Sequence, residues 1–266
     1  MSEVKKPALS IVKISGKKYE NKTEFAETVQ DFHALPGYKL LSHGAGVLIS
    51  EELKKQGILN ATHNGLRITP EPVLNVVEKV VLEINRDIAN TLNGLCGDNT
   101  VYLGHDKTGI LVNSEQMPVD KDKDGNEVDY GFVGRVYPGC VHVSSIQQIL
   151  QYNMSPVIHC LTVLKDRGNV MNTNADHVAE AVAKETGRFY DVSLYMLSDV
   201  PGVLDLQKEI IPEITKDNYP ALKEAGVITD GMAVKCESML NLVETGNIGQ
   251  IIITNRISNE KRTIVR

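Results

Sequence analysis

Short apolar runs alternate with amphipathic helical stretches along most of this chain, and this alternation restricts the fold more than any other feature of the sequence. Apolar runs at 9–14 and 38–42 are each followed by a stretch with helical spacing, at 23–34 and 48–56. Such alternation is typical of a parallel sheet with crossover helices. The sequence therefore predicts an α/β fold, with an open, mainly parallel β-sheet sandwiched between helices in three αβα layers.

The second half of the chain continues this alternation, and no Pro-, Gly- or Ser-rich linker separates it from the first half. We expect two lobes, residues 1–153 and 154–266, built on one continuous sheet and unable to fold separately. The predicted elements are strands at 157–163, 192–197 and 249–254 and helices at 175–186 and 232–244.

A long amphipathic helix is predicted near the middle of the first lobe. Thr69 is a candidate N-cap, and Pro70 suits the first helical position because proline lacks an N–H there. Apolar residues at helical spacing then continue to about Leu92. We therefore expect one helix over 70–92.

The turn-rich sequence DKDKDGN lies between apolar runs at 110–118 and 127–136 and predicts a β-hairpin with a charged tip. We expect this hairpin to lie beside the ligand site as a lid. The same residues imitate the start of a calcium loop, but Gly131 stands where such a loop requires a glutamate. A solvated hairpin tip is the better interpretation.

The composition excludes several classes of partner. The 266 residues include 28 Lys and Arg against 34 Asp and Glu, a net charge of −6 without long basic runs, so we expect neither nucleic acid nor an anionic membrane as partner. No secretory signal or membrane span is visible, which predicts a cytoplasmic protein. Four widely separated cysteines and the spacing of the histidines suggest neither a disulfide framework nor a metal site.

The segment MNTNAD carries the strongest chemical signal. Asn172, Asn174 and Asp176 alternate along it and lead directly into an alanine-rich helix. A helix start gathers unpaired N–H groups and a partial positive charge, so this junction suits phosphate with its metal. Asn and Asp are also preferred as helix caps, and an ordinary cap explains the segment by itself equally well.

Two earlier segments place phosphate-binding groups after strands. Lys13 ends an apolar run and is followed by Ser15 and Gly16, at the strand end where open α/β sheets bind ligands. The loop HGAG, with Gly44 and Ala45, follows the second strand and can present N–H groups to phosphate. Taken alone, each segment has a simpler explanation, an edge-strand lysine that reaches water and an ordinary tight turn.

Two more segments add cations. The run VITDGMAVK places Asp230 and Gly231 before a helix that starts at Met232, and Lys235 about one turn inside that helix. Arg67 precedes the long helix and could bind a carboxylate bidentately. A solvated lysine and a surface ion pair are the alternatives. The chain lacks a dinucleotide fingerprint and a Walker A loop, which disfavours those two nucleotide folds.

Together these segments resemble acetylglutamate kinase of the amino acid kinase superfamily over nearly the whole chain. The matching runs, in order, are IVKISG, SHGAG, NGLRIT, the GFVG of the hairpin, MNTNAD, LSDVPGVL and ITDGMAVK. Such collinear matches are together far more specific than any one of them. The resemblance implies the amino acid kinase fold, with acceptor binding in the lobe 1–153 and ATP binding in the lobe 154–266.

The implied reaction is phosphoryl transfer from ATP, with Mg²⁺, to the γ-carboxylate of N-acetyl-L-glutamate in arginine biosynthesis. Because a carboxylate is already ionised at neutral pH, neither a general base nor a protein nucleophile is needed. By position, Lys13 and Lys235 would flank the transferring phosphoryl group as catalytic residues, and Asp176 would orient both lysines.

The other matched positions divide between acceptor and nucleotide. Arg67 and Asn172 would hold the acceptor beside Gly44 and Ala45, and the N–H groups of Gly44 and Gly16 would meet the moving phosphate. The positions matched to phosphate or nucleotide binding are Ser15, Gly16, Asn174, Ser198, Asp199, Val200, Gly202, Gly231 and Met232. No residue is assigned as a metal ligand, since Mg²⁺ would be held by the phosphates and water.

Two positions depart from the family pattern. Ser15 replaces the first glycine of a pair, and Ala45 replaces the middle glycine of three. Each adds a side chain where backbone meets phosphate, which is tolerated only at negative φ. We expect the N–H donors to survive and activity to be retained or reduced.

Two other functions stay open at this point: a kinase for carbamate, another N-acylglutamate or a nucleotide, and a catalytically weak nucleotide or metabolite sensor. The sequence also leaves open the acyl group on glutamate and the motion of the lid. The resemblance suggests a homodimer. Because only a short polar lead precedes the first strand, we expect no arginine feedback of the kind that needs an added N-terminal helix.

Overall fold

The computed structural model describes residues 5–97, 99–103, 110–228, 230–245 and 248–266. The strands are β1 (Ala8–Ile14), β2 (Tyr38–His43), β3 (Thr62–His63), β4 (Leu66–Arg67), β5 (Thr100–Tyr102), β6 (Asn113–Gln116), β7 (Asp120–Lys121), β8 (Glu127–Val128), β9 (Gly134–Arg135), β10 (Ser155–His159), β11 (Leu161–Leu164), β12 (Val170–Asn172), β13 (Asp191–Leu197), β14 (Glu213–Ile214), β15 (Gln250–Thr254) and β16 (Thr263–Val265). The helices are α1 (Gly16–Glu20), α2 (Lys22–Ala34), α3 (Gly46–Lys55), α4 (Glu71–Cys96), α5 (Val143–Gln151), α6 (Ala175–Thr186), α7 (Tyr219–Glu224) and α8 (Asp230–Glu244).

An eight-stranded sheet with the order β14-β16-β15-β13-β1-β2-β10-β5 forms the centre of the protein. Neighbouring strands are parallel except β15 and β16, which confirms the predicted mainly parallel sheet. The first strand lies in the middle, where Lys13 stands between Met196 of β13 and Ser42 of β2. The sheet therefore joins segments from both halves of the chain.

Helices cover both faces of this sheet, as the three-layer prediction requires. Leu9 and Ile11 belong to a buried cluster with α5, α6 and α8, whereas Val12 and Ile14 pack with α2, α3 and α4. Successive side chains of a strand point to opposite faces. Lys13 consequently emerges on the face that α6 covers.

The single strand predicted at 157–163 is wrong, because the chain leaves the main sheet at Cys160. β10 ends at His159, and β11 belongs to a second sheet with the order β12-β11-β6-β9. The Leu161 N–H donates to His159 Nδ1 at 3.2 Å, and the Thr173 N–H donates to the Cys160 carbonyl at 3.0 Å. These bonds replace the ladder of the main sheet, and an apolar run alone does not reveal such a change of sheet.

The predicted hairpin is confirmed in two short antiparallel pairs, β7 with β8 and β6 with β9. At its tip, the Asp122 carboxylate accepts the N–H groups of Asp124 and Asn126 at 2.9 and 2.8 Å. These bonds are those of a turn. In the described ranges, no group of three or more His, Cys, Asp or Glu side chains is placed to hold a metal ion.

The long helix α4 starts one residue later than predicted, with Pro70 as N-cap, and ends at Cys96, where the C-cap Gly97 adopts a left-handed φ of 66°. The buried Thr69 does not cap it, because its Oγ1 donates to the Arg67 carbonyl at 2.8 Å and so holds the end of β4. Three helices, α1, α5 and α7, were not predicted. Among the helices of the described residues, none combines the length and apolar character needed to cross a membrane.

Candidate active site

A cavity of about 250 Å³ opens at the carboxyl ends of β1 and β2, beside the start of α6. Open α/β sheets bind ligands at this edge. The predicted site residues that line the cavity are Lys13, Ser15, Gly16, Gly44, Ala45, Arg67, Asn172, Asn174 and Asp176. Other lining residues that the sequence did not suggest include Val133, Cys160 and Thr173.

Asp176, in the first turn of α6, faces two lysines. Lys13 Nζ lies 2.5 Å from its Oδ1, and Lys235 Nζ lies 4.0 Å from its Oδ2. Lys13 comes from β1 and Lys235 from α8, so the fold brings together the two ammonium groups that the sequence assigns to one cleft. The side chains of Lys13 and Asp176 are only 13% and 24% exposed, whereas that of Lys235 is 62% exposed. Lys235 is therefore free to move towards a ligand.

The two lysines decide the charge of Asp176. Burial by itself would raise the pKa of this carboxyl, but the charge and hydrogen bond of Lys13 and the charge of Lys235 bring the pKa below its ordinary 3.8. Asp176 is thus ionised at neutral pH, and it compensates only one of the two ammonium groups. The remaining positive charge makes the cluster suitable for an anion.

The two asparagines before Asp176 have separate partners. Asn174 Oδ1 accepts the Asp176 N–H at 2.8 Å and caps α6. Asn172 Nδ2 donates to Thr69 Oγ1 at 3.1 Å. Both residues also line the cavity. The cap explanation for this segment is therefore correct, and it leaves room for a ligand at the same helix start.

Arg67 reaches the cavity from β4. Its guanidinium donates to three neutral oxygens, Asn60 Oδ1, the Gly46 carbonyl at 2.9 Å and Ser50 Oγ at 3.0 Å. Burial lowers the pKa of this guanidinium below its ordinary value. These contacts fix the guanidinium plane without neutralising its charge, so Arg67 can still attract a carboxylate.

Two glycines of the site are closely packed. A Cβ on Gly16 would lie 3.1 Å from backbone carbons of Ala45, and a Cβ on Gly44 would lie 3.0 Å from the Ala175 Cβ. The Gly44 N–H donates to the Ile14 carbonyl at 3.2 Å. The predicted donation from Gly44 to phosphate therefore requires that this long bond be exchanged.

Ser15 and Ala45, the two departures from the family pattern, both have negative φ, −86° and −138°. Neither side chain is strained by its backbone conformation. Ser15 is the N-cap of α1, since its Oγ accepts the Lys18 N–H at 3.3 Å. The serine thus stabilises a short helix that the sequence analysis did not predict.

The double variant Ser15→Gly, Ala45→Gly is expected to bind nucleotide as the wild type does and to unfold more easily. Loss of the cap and the added freedom of two glycines should lower the free energy of unfolding by about 1 kcal/mol. Calorimetric titration with ATP and urea unfolding would measure both quantities. Much tighter ATP binding by the variant would show that these two side chains obstruct the phosphates.

The predicted nucleotide segment follows β13, outside the cavity lining. Ser198 Oγ donates to the Val200 carbonyl at 2.8 Å and shapes a tight turn. A Cβ on Gly202 would lie 2.7 Å from Thr263 Oγ1, so this glycine is needed for packing. The structure therefore explains Gly202 without a ligand.

Three further residues that were predicted to bind the nucleotide are Asp199, Gly231 and Met232. Asp199 Oδ2 lies 2.6 Å from Lys17 Nζ in an exposed ion pair. Gly231 lies in the first turn of α8, and Met232 packs against the buried cluster beneath that helix. Lys17 is the residue here that the sequence analysis missed, because only the fold brings it to Asp199.

His43, the last residue of β2, holds the loop that follows this strand against α4. It is fully buried, and its Nε2 pairs with Asn85 Oδ1 of α4 at 3.0 Å. Burial lowers the pKa of His43 to about 4 and that of the neighbouring His159 to about 3. Both imidazoles are neutral at physiological pH. His43 therefore holds the loop through packing and its hydrogen bond with Asn85, without a charge.

Glu180 lies one turn after Asp176 on α6, and its Oε2 accepts a hydrogen bond from Ser238 of α8 at 3.3 Å. Burial, followed by the charge of Asp176, raises the pKa of Glu180 from 4.5 to about 7. The folded protein therefore keeps this carboxyl protonated at a pH where the unfolded chain does not.

Glu180→Gln is expected to remove part of the pH dependence of stability. Because the folded-state pKa is raised, the wild type loses stability as the pH rises from 4.5 to 7, and the loss is complete above 7. The variant, which cannot ionise, should gain on the order of 2 kcal/mol relative to wild type between pH 5 and pH 8. Urea unfolding at both pH values tests this, and an equal difference at both would contradict it.

Known proteins match this chain over nearly all of its length. A model of the amino acid kinase family matches residues 8–255. The chain belongs to the amino acid kinase family. Acetylglutamate kinase from Parabacteroides distasonis is 34% identical over 251 residues, 92% of this chain and 93% of that one. Acetylglutamate kinase from Phocaeicola vulgatus is 31% identical over 268 residues, 98% of this chain and 99% of that one.

Solved structures of amino acid kinase architecture superpose on the chain as a whole. The protein smu.665 from Streptococcus mutans gives a TM-score of 0.76 at 24% identity, covering 97% of this chain and 98% of that one. Carbamate kinase from Giardia gives a TM-score of 0.67 at 14% identity, covering 99% of each chain. At these identities the likeness concerns the fold, and it confirms the predicted amino acid kinase fold.

Proposed function

We propose that this amino acid kinase transfers the γ-phosphoryl group of ATP to the γ-carboxylate of N-acetyl-L-glutamate. The product is N-acetyl-L-glutamyl 5-phosphate, and the reaction is the second step of arginine biosynthesis. The structural observation that carries the proposal is the cluster of Lys13, Asp176 and Lys235, in which Lys13 and Asp176 line the cavity and Lys235 reaches Asp176 from α8, outside the lining. The related acetylglutamate kinases support the choice of acceptor.

The acceptor would bind at the Arg67 side of the cavity. The guanidinium keeps its charge because its partners are neutral oxygens, and it offers a planar fork to a carboxylate. Asn172 lines the same cavity with an amide that can bond to the acetamido group. Together with the backbone of Gly44 and Ala45, these groups would hold the acceptor with its γ-carboxylate towards Lys13.

The lysines would act on the phosphoryl group during transfer. An ionised carboxylate attacks without loss of a proton, so the barrier is lowered by alignment and by compensation of charge on the moving phosphoryl oxygens. Lys13 is held by Asp176 at 2.5 Å, whereas the exposed Lys235 can follow the phosphoryl group. Asp176 keeps both ammonium groups on the same side of the cavity.

ATP would extend from the cavity towards the carboxyl end of β13. Gly16 and Asn174 border the cavity there, and Ser198, Asp199 and Val200 follow the neighbouring strand. Mg²⁺ bound to the phosphates supplies neutralisation of their charge. Because Asp176 is committed to two lysines, we propose that Mg²⁺ is held by the phosphates and water.

We further propose that the protein works in the cytoplasm as a homodimer, with the acceptor bound mainly by the lobe 1–153 and ATP mainly by the lobe 154–266. The family resemblance supports the dimer, and the role in amino-acid synthesis supports the location. Size-exclusion chromatography with light scattering tests the assembly. A mass near 29.3 kDa would contradict the dimer.

Acceptor-dependent formation of ADP tests the proposed reaction. The purified protein is incubated with ATP and Mg²⁺ and with one acceptor at a time: N-acetylglutamate, glutamate, N-succinylglutamate or carbamate. The largest kcat/KM is expected with N-acetylglutamate. A larger value with another acceptor would assign a different kinase activity, and ATP binding without any acceptor-dependent turnover would indicate a sensor.

A further inference from the structure

An ion pair between Lys17 and Asp199 bridges the ends of two neighbouring strands. Lys17 follows β1 in the first turn of α1, and Asp199 follows β13, which pairs with β1 in parallel. The Lys17 Nζ lies 2.6 Å from Asp199 Oδ2. The catalytic cavity and the proposed nucleotide segment are therefore joined at their common border by this pair.

On the proposed function, the triphosphate of ATP passes along this border. Gly16, the residue before Lys17, lines the cavity with Lys13 and Asp176. Asp199 belongs to the segment that we propose to contact the nucleotide. An ATP molecule that reaches from this segment into the cavity must bring its phosphates past the Lys17 side chain.

The positive charges of the site are fewer than the negative charges of the proposed ligands. Lys13 and Lys235 share the single carboxylate of Asp176, which leaves one positive charge in that cluster. A triphosphate with one Mg²⁺ retains about two negative charges, and the α- and γ-carboxylates of the acceptor add to them. Arg67 lies on the acceptor side. A further ammonium group beside the phosphates would bring the total charge closer to zero.

Lys17 is available for this role, and its neighbour Lys18 is not. The side chains of Lys17 and Asp199 are 63% and 57% exposed, and such exposed pairs contribute little to stability. Lys18 is only 9% exposed and is held by Glu24 of α2 at 2.6 Å. The Lys17 ammonium can therefore exchange one anionic partner for another at small cost.

We infer that Lys17 is a phosphate-binding residue that exchanges Asp199 for the triphosphate when ATP enters. This inference rests on the proposed function for the position of ATP. The released Asp199 carboxylate becomes free to accept hydrogen bonds from the nucleoside part of ATP. In the absence of nucleotide, the ion pair holds the Lys17 and Asp199 side chains against each other at the border of the site.

The test is calorimetric titration of the full chain, without acceptor, with two probes, ATP with Mg²⁺ and adenosine. Lys17→Met should raise the Kd for ATP by about tenfold, because one charge-assisted contact is lost. It should not raise the Kd for adenosine, because Asp199 is then already free to meet the nucleoside. Lys17→Arg should keep the ATP Kd within about threefold of wild type, since the cation remains. Lys54→Met, which removes an exposed lysine at the far end of α3, is the matched control and should change neither Kd.

An unchanged Kd for ATP in Lys17→Met would overturn the inference. An equal loss of affinity for ATP and adenosine would also overturn it, because it would show that Lys17 only holds the nucleotide segment in place. Both measurements are made without acceptor. If the wild type binds ATP but does not phosphorylate N-acetylglutamate, the choice of acceptor fails while the result for Lys17 still stands.

Discussion

Replacing Lys235 by methionine is expected to lower kcat by about 10²- to 10³-fold, the effect of removing one group that stabilises transition-state charge. The ammonium group lies 4.0 Å from Asp176, and its side chain is 62% exposed. Because so little of it is buried, its removal should leave the free energy of unfolding nearly unchanged. Steady-state kinetics with saturating ATP and N-acetylglutamate, combined with urea unfolding, measure the two effects separately.

Lys184→Met is the matched control for this variant. Lys184 is exposed in the last turn of α6, at the other end of that helix from Asp176, so its loss should change kcat little. If Lys235→Met kept near-normal kcat, the assigned role of Lys235 would be excluded. A loss of turnover that came with unfolding would instead assign Lys235 a structural role.

Asp176→Asn is expected to reduce kcat by about 10²-fold while leaving ATP binding as strong as in the wild type, or stronger. The amide keeps the shape of the carboxyl group but cannot hold two ammonium groups, so Lys13 and Lys235 would separate. Removing a negative charge beside the phosphates also favours an anionic ligand. The opposite signs of the two effects distinguish this variant from a simple loss of folding.

Calorimetric titration with ATP, alongside kcat, tests the Asp176 prediction. Glu180→Gln, one turn further along α6, is the control at pH 8 and should retain kcat, since Glu180 bonds to Ser238 whereas both lysines pair with Asp176. Weaker ATP binding by Asp176→Asn would show that Asp176 acts chiefly through the shape of the helix start. Unchanged kcat would remove it from the phosphoryl-transfer machinery.

The layers of the fold were predictable because its sheet strands are short and apolar. Alternation along β1 sends Leu9 and Ile11 to one face and Val12 and Ile14 to the other, and helices with an apolar stripe cover both. The change of sheet at Cys160 was not predictable, since it depends on hydrogen bonds with segments far along the chain. The spacing of apolar residues within a segment does not indicate which distant segments it will bond to.

The site also contains some residues that the sequence predicts and others that only the fold reveals. Residues near the end of a strand or the start of a helix, such as Lys13 and Asp176, could be proposed from local pattern and family resemblance. Lys17 could not, because its partner Asp199 is distant in sequence and only the pairing of β1 with β13 brings them together. Gly202 was assigned to a ligand although packing against Thr263 already explains why a glycine stands there.

The central position of β1 has a consequence for biosynthesis. Ala8 pairs with Asp191 on one side and Leu9 with Tyr38 on the other, so one edge of the first strand stays open until most of the polypeptide has left the ribosome. Non-local pairing of this kind slows folding and leaves an unsatisfied edge in the nascent chain. Lys235 is translated later still, so an unfinished polypeptide lacks one of the two lysines to which we assign phosphoryl transfer.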